Sequence, residues 1–242
     1  MSYIFREHIK QSLAVIAFLI ALTACTSESY DAGDGPNSYL TADLVLLHTS
    51  QDKSVRSALL DDGTTLQFSN PFAQDWLTRP DSVYRALLYY DKTVAASDAA
   101  ASNPTATSIV RARSVRPVSV LRPVEAEDME TLRTDPVGFE SIWLSKNKSY
   151  INLSLLLKSG KTEADDALHA LGIVSHGTTT DADRRRTLHL TLYHDQGGVP
   201  AYYTVQQYVS IPTQLLEEAD TVELTLNTYN GKKVMKVAVS NL

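Results

Sequence analysis

In the run YINLSLLLK, residues 150–158, Ile151, Leu153, Leu155 and Leu157 fall on one face of a strand. Tyr150, Asn152, Ser154 and Lys158 fall on the other, because side chains of an extended chain alternate with period two. Leu188, Leu190 and Leu192 repeat the pattern against Thr187, His189, Thr191 and Tyr193. A strand that is apolar on one face needs a second layer over that face. Two antiparallel sheets packed face to face supply it, so the C-terminal half reads as a β-sandwich. Further strands are expected over 139–145, 168–176, 202–208, 221–228 and 233–239, with a helical turn or two over 212–219. Asn230-Gly231 is a preferred pair for a two-residue type I′ turn. A hairpin closed there would pair Leu226 with Met235, Leu224 with Val237 and Val222 with Val239.

The N-terminal half reads as five shorter strands, over Leu40–Thr49, Val55–Leu60, 64–68, 83–91 and 109–121. Asp62-Gly63 marks a tight turn between the second and third. Residues 71–77 (PFAQDWL) suggest a short helical plug stopped by Pro80. Three strands, a plug and two more strands is the order of a small OB-like barrel. Residues 94–108 are almost all small and read as a loop. Residues 124–136 are acidic, end in proline and mark a boundary. The chain is therefore expected to be all-β, with an OB-like barrel over 39–125 and an antiparallel sandwich over 126–242.

Cys25 is the chain's one cysteine, so no intramolecular disulfide can hold the fold. It follows Leu22-Thr23-Ala24 at the end of the apolar run 13–22, with Arg6 and Lys10 upstream. A basic start, a short apolar stretch and a small residue before the cut make a signal peptide over 1–24. Ten apolar residues are too few for a settled membrane span, which needs about 20. Leu-Thr-Ala-Cys has the form of a lipobox, which makes Cys25 the expected site of lipid attachment. More than one acyl chain there would anchor the protein stably. Residues 25–38 are polar and serve as a flexible tether.

Removing Arg6, Lys10 and Glu7 from the chain's 22 basic and 28 acidic residues leaves 20 and 27, a formal −7. That balance argues against nucleic acid as a partner and against general attraction to anionic membranes. Arg111, Arg113 and Arg116 are read as a solvated or edge-guarding stripe. The expected membrane contact is the N-terminal lipid alone, and the expected partner is an envelope protein or a glycan.

No assembled chemistry stands out. His169 and His176 are seven residues apart and His189 and His194 five, so neither pair shares a face of a straight strand. HExxH, CxxC and GxSxG are absent from the sequence. No catalytic residue, metal site or cofactor is expected. The aromatics carry more promise. In Tyr89-Tyr90 and Tyr202-Tyr203 adjacent side chains point to opposite faces, so Tyr90, Tyr202 and Tyr203 are candidates for an exposed ligand-binding role.

The order of these signals resembles the NigD-like lipoproteins of Bacteroides and related bacteria. The resemblance rests on the lipobox, Asp135-Pro136-Val137-Gly138, Ser141-Ile142-Trp143, Tyr150-Ile151-Asn152-Leu153, TLHLTLYH over 187–194 and Ser210-Ile211-Pro212. It implies an OB-like domain followed by a β-sandwich and an outer-membrane address, and it supplies no catalytic residues. The function expected is a non-enzymatic binding or scaffolding lipoprotein, with glycan binding through exposed aromatics as the alternative.

Overall fold

The computed structural model describes residues 40–92, 108–161, 168–216 and 219–239. The segments expected as signal peptide and tether, Cys25 among them, and the loop expected over 94–108 (except Ser108) lie outside the described residues. Thr41–Leu242 form one compact unit. Its regular secondary structure is almost entirely strand, as the alternation predicts.

Strands β1 (Leu40–Thr49), β2 (Val55–Leu60), β3 (Thr65–Phe72), β4 (Val83–Lys92) and β5 (Ser108–Pro117) close into a barrel. Their order is β1-β2-β3-β5-β4, with β3 and β5 parallel, which is an OB-like arrangement. Asp62-Gly63 makes the β2–β3 turn: Gly63 sits at φ +91°, and the Leu60 N–H donates to Thr64 O at 2.9 Å. The helical plug expected over 71–77 does not form. Phe72 pairs with Val55 and its ring lies 5.3 Å from that of Phe68, so the chain stays extended through Pro71. Leu77, buried beyond a single turn, fills the space instead.

The remaining strands are β6 (Ser119–Val120), β7 (Pro123–Glu125), β8 (Gly138–Leu144), β9 (Tyr150–Ser159), β10 (Ala170–Thr180), β11 (Arg186–Asp195), β12 (Tyr203–Pro212), β13 (Thr221–Thr228) and β14 (Gly231–Ala238). They form a five-stranded sheet, β14-β13-β11-β10-β7, and a four-stranded sheet, β6-β12-β9-β8. Ile151, Leu153, Leu155 and Leu157 of β9 share one buried core with Leu188, Leu190 and Leu192 of β11. Each such side chain contributes about 2 kcal/mol over the exposed state. Residues 119–125, counted with the barrel in the sequence reading, pair instead with the sandwich. β6 runs parallel to β12 and β7 parallel to β10, giving each sheet a short edge strand.

The last hairpin keeps its predicted faces but not its predicted register. Thr228 pairs with Gly231, Leu226 with Lys233, Leu224 with Met235 and Val222 with Val237. The turn residues are Tyr229-Asn230, and Gly231 takes the left-handed position at φ +103°. A slip of two residues leaves every side chain on its own face, so hydrophobic pattern cannot detect it. Charge pairing favours the observed register, because Glu223 now faces Lys236, with Nζ and Oε2 3.3 Å apart.

Candidate functional site between barrel and sandwich

β4 does not alternate cleanly because both its faces are covered. Ala86, Leu88 and Tyr90 line the barrel core, whereas Arg85, Leu87 and Tyr89 face the sandwich. On the sandwich side, Asn152 of β9 pairs with Ser210 of β12, and both are fully buried. Alternation had put Asn152 and Ser154 on the solvated face; the barrel covers Asn152 instead.

The covering contact is polar and closely fitted. Arg85 donates from Nη1 to Asp61 Oδ1 at 2.6 Å and from Nη2 to Asp61 Oδ2 at 2.7 Å. Its Nη2 also reaches Asn152 Oδ1 at 3.0 Å, and its Nε reaches Ser210 Oγ at 3.2 Å. Asn152 Nδ2 donates to Asp61 Oδ2 at 3.0 Å, and the Ser210 hydroxyl donates to Asn152 Oδ1 at 2.7 Å. The guanidinium carbon lies 4.3 Å from the ring centre of Tyr150. A buried charge is tolerable when paired and hydrogen-bonded, and Arg85 is both. Asp61 is thereby committed to structure.

Beside this network the barrel and sandwich leave a cleft of about 350 Å³. Its aromatic lining comes from three strands: Tyr89 of β4, Trp143 of β8 and Tyr208 of β12. The Trp143 and Tyr208 rings stand nearly perpendicular, with centroids 6.4 Å apart, and Trp143 is 36 % exposed. Asp43, Asp62 and Lys146 supply polar groups. Burial tends to raise the Asp62 carboxyl, but hydrogen bonds from Thr64 and the Lys146 charge outweigh it and hold it below its ordinary value. Lys146 Nζ lies 3.9 Å from Asp62 Oδ2. A second depression, of about 490 Å³, shares Leu87, Tyr89 and Tyr208 and adds Arg116 and Gln206.

Of the three tyrosines singled out in the sequence, Tyr90 cannot serve. It is 2 % exposed inside the barrel, where its hydroxyl donates to Asp43 Oδ2 at 2.8 Å. Burial, then the Asp43 and Asp62 carboxylates, push that phenol above its ordinary pKa. Its neighbour Tyr89 is the outward member of the pair. Tyr202 and Tyr203 are exposed, 78 % and 50 %, at the Ser159 end of β9, away from the barrel core. Tyr202 donates its N–H to Ser159 O at 2.9 Å, and its ring lies over Gly160, where a Cβ would come within 2.8 Å. Trp143 and Tyr208 were visible in the sequence as aromatics, but nothing there brings them to Tyr89.

The histidines meet across strands. His194, buried, accepts at Nε2 from His169 Nδ1 at 3.0 Å while its own Nδ1–H donates to Asp135 O at 2.9 Å. Same-strand spacing could not reveal this contact, because His169 stands just before β10 and His194 lies on β11. Among the described residues no three His, Cys, Asp or Glu side chains converge as a metal site.

Residues 120–239 match the family described as the NigD-like C-terminal β-sandwich domain. No curated protein matches the chain in sequence. A NigD-like immunity protein of Bacteroides caccae is similar in fold, 23 % identical, with a TM-score of 0.59 over 81 % of this chain and 91 % of that one. A Bacteroides vulgatus protein of unknown function is 16 % identical, with a TM-score of 0.57 over 83 % and 92 %. A provisionally described lipoprotein of Bacteroides fragilis is 12 % identical, with a TM-score of 0.57 over 84 % and 99 %. The start of the family match at residue 120 coincides with β6, where the chain first pairs into the sandwich.

Proposed function

We propose that the chain, which belongs to the NigD-like family through its C-terminal β-sandwich, is a non-enzymatic lipoprotein of the outer membrane acting as a binding or scaffolding module. The cleft between barrel and sandwich is its docking site. One observation carries the reading: the Arg85 network fixes two β layers against each other, and the fixed joint leaves Tyr89, Trp143 and Tyr208 around a cleft. Binding sites of this kind are concave, largely apolar and already formed before the ligand arrives. The lipobox at Cys25 and the fold shared with the B. fragilis lipoprotein support the envelope address.

Affinity capture from envelope extracts tests the docking site. Wild-type full-length chain is compared with Trp143→Ala and Tyr202→Ala. A partner retained by wild type and Tyr202→Ala but lost by Trp143→Ala supports the cleft. Retention by all three, or loss only with Tyr202→Ala, overturns it.

A further inference from the structure

The lining of the cleft also restricts what it can hold. We infer that it binds an uncharged carbohydrate, with one sugar ring against Trp143; this deepens the docking reading above and rests on it. Three features of the site favour this ligand over other small polar ones.

The charges come first. Asp62 and Asp43 carry carboxylates, which disfavour a phosphate, sulfate or carboxylate ligand in a confined space. Lys146 stands on the same rim, 3.9 Å from Asp62, and disfavours an ammonium or guanidinium group beside it. Acceptors and a cationic donor side by side suit a group that both donates and accepts. Vicinal hydroxyls do this, donating a hydrogen bond to the carboxylate and accepting one from the ammonium.

The aromatic wall comes second. A pyranose has polar edges and a face of C–H groups, and such a face buries well against an indole. Trp143 is exposed at the cleft, and Tyr208 stands at 81° to it, so the two rings form a corner. A ring seated on one wall meets the other edge-on, and its hydroxyl edge is left facing the polar rim.

Length comes third. The second depression borders the same Tyr89 and Tyr208 side chains and offers the Arg116 guanidinium as a further donor. An oligosaccharide can therefore continue past the first ring. That matters because ordering a flexible sugar costs conformational entropy that one stacking contact scarcely offsets.

The test is a glycan array probed with the full-length chain in a detergent that has no sugar headgroup, followed by titration of the best hit against intrinsic fluorescence. Trp76 and Trp143 are the chain's two tryptophans, so the response of the Trp143→Phe variant assigns the signal. The inference expects saturable binding of a neutral glycan, weakened about tenfold or more in Trp143→Ala. Lys146→Ala, whose side chain is 82 % exposed, is expected to fold normally and to bind a few-fold more weakly. Tyr202→Ala should bind like wild type. If no neutral glycan binds while an envelope protein is captured through Trp143, the carbohydrate inference fails and the docking site stands. If a glycan binds but is lost with Tyr202→Ala and not with Trp143→Ala, the cleft fails as well. No neutral glycan on the array and no Trp143-dependent capture overturns both.

Discussion

Arg85 and Asp61 face each other fork to fork, two nitrogens on two oxygens at 2.6 and 2.7 Å, with the Arg85 side chain only 1 % exposed. Both residues belong to the barrel, yet Arg85 also donates to Asn152 and Ser210 of the sandwich, and Asp61 accepts from Asn152. The ion pair therefore orients a polar patch that the second sheet completes.

Removing Arg85 should cost far more than a surface salt bridge would. Arg85→Ala leaves Asp61, Asn152 and Ser210 without their shared donor, and breaking a buried pair from one side typically costs about 3–5 kcal/mol. Arg85→Lys keeps the charge but not the planar fork, and should recover only part of the loss. Urea denaturation of the three proteins checks this. A loss below about 1 kcal/mol for Arg85→Ala would mean that the network contributes little to the joint.

Fragments divide the chain at a testable place. A sandwich beginning at residue 127 lacks β6 and β7, which pair with β12 and β10. One beginning at residue 118 keeps both, together with Leu121, whose N–H donates to Ser210 O at 2.9 Å. The longer fragment should give the better dispersed amide spectrum and the higher denaturation midpoint. Equal behaviour of the two would show that the edge strands add nothing to the sandwich.

The proposed lipid attachment would depend on one atom, the sulfur of Cys25. Cys25→Ser should accumulate as an unlipidated precursor that keeps residues 1–24, because serine offers no thiol for thioether formation. Intact mass of wild type and variant reads both changes at once. Identical masses apart from the substitution would end the anchor reading.

How far the sequence revealed this molecule depends on the range of the interaction. Alternation in β9 and β11 located the sandwich core, and Asp62-Gly63 located a turn, since both signals lie within a few residues. The C-terminal hairpin shows the limit of such signals. Faces were legible because they repeat every two residues, and register was not, because a shift of two preserves them. The site was less legible still. Tyr89, Trp143 and Tyr208 lie on three strands of two layers, and Asn152 looked solvent-facing because its covering layer is the barrel. An adjacent pair such as Tyr89-Tyr90 shows that one member turns outward without showing which.

The histidine pair should make stability depend on pH in a predictable direction. Burial, and then the nearby His194 ring, hold His169 below the ordinary histidine pKa. The neutral ring is thus favoured by folding, and the unfolded chain binds the proton more readily. The associated stability is fully present above the unfolded value of about 6.5 and declines as pH falls from there through the lowered folded value. Protonation at His169 also brings a positive charge against a ring whose Nδ1 is already committed to Asp135 O. His169→Gln removes the titrating group, so its fall in stability between about pH 7 and pH 5 should be shallower than that of wild type. Thermal melts across that interval, with a His48→Gln variant at an exposed position of β1 as a control, measure the difference. Parallel curves for wild type and His169→Gln would show that the pair is indifferent to protonation, whereas a flattening confined to His169→Gln assigns the acid sensitivity to this contact.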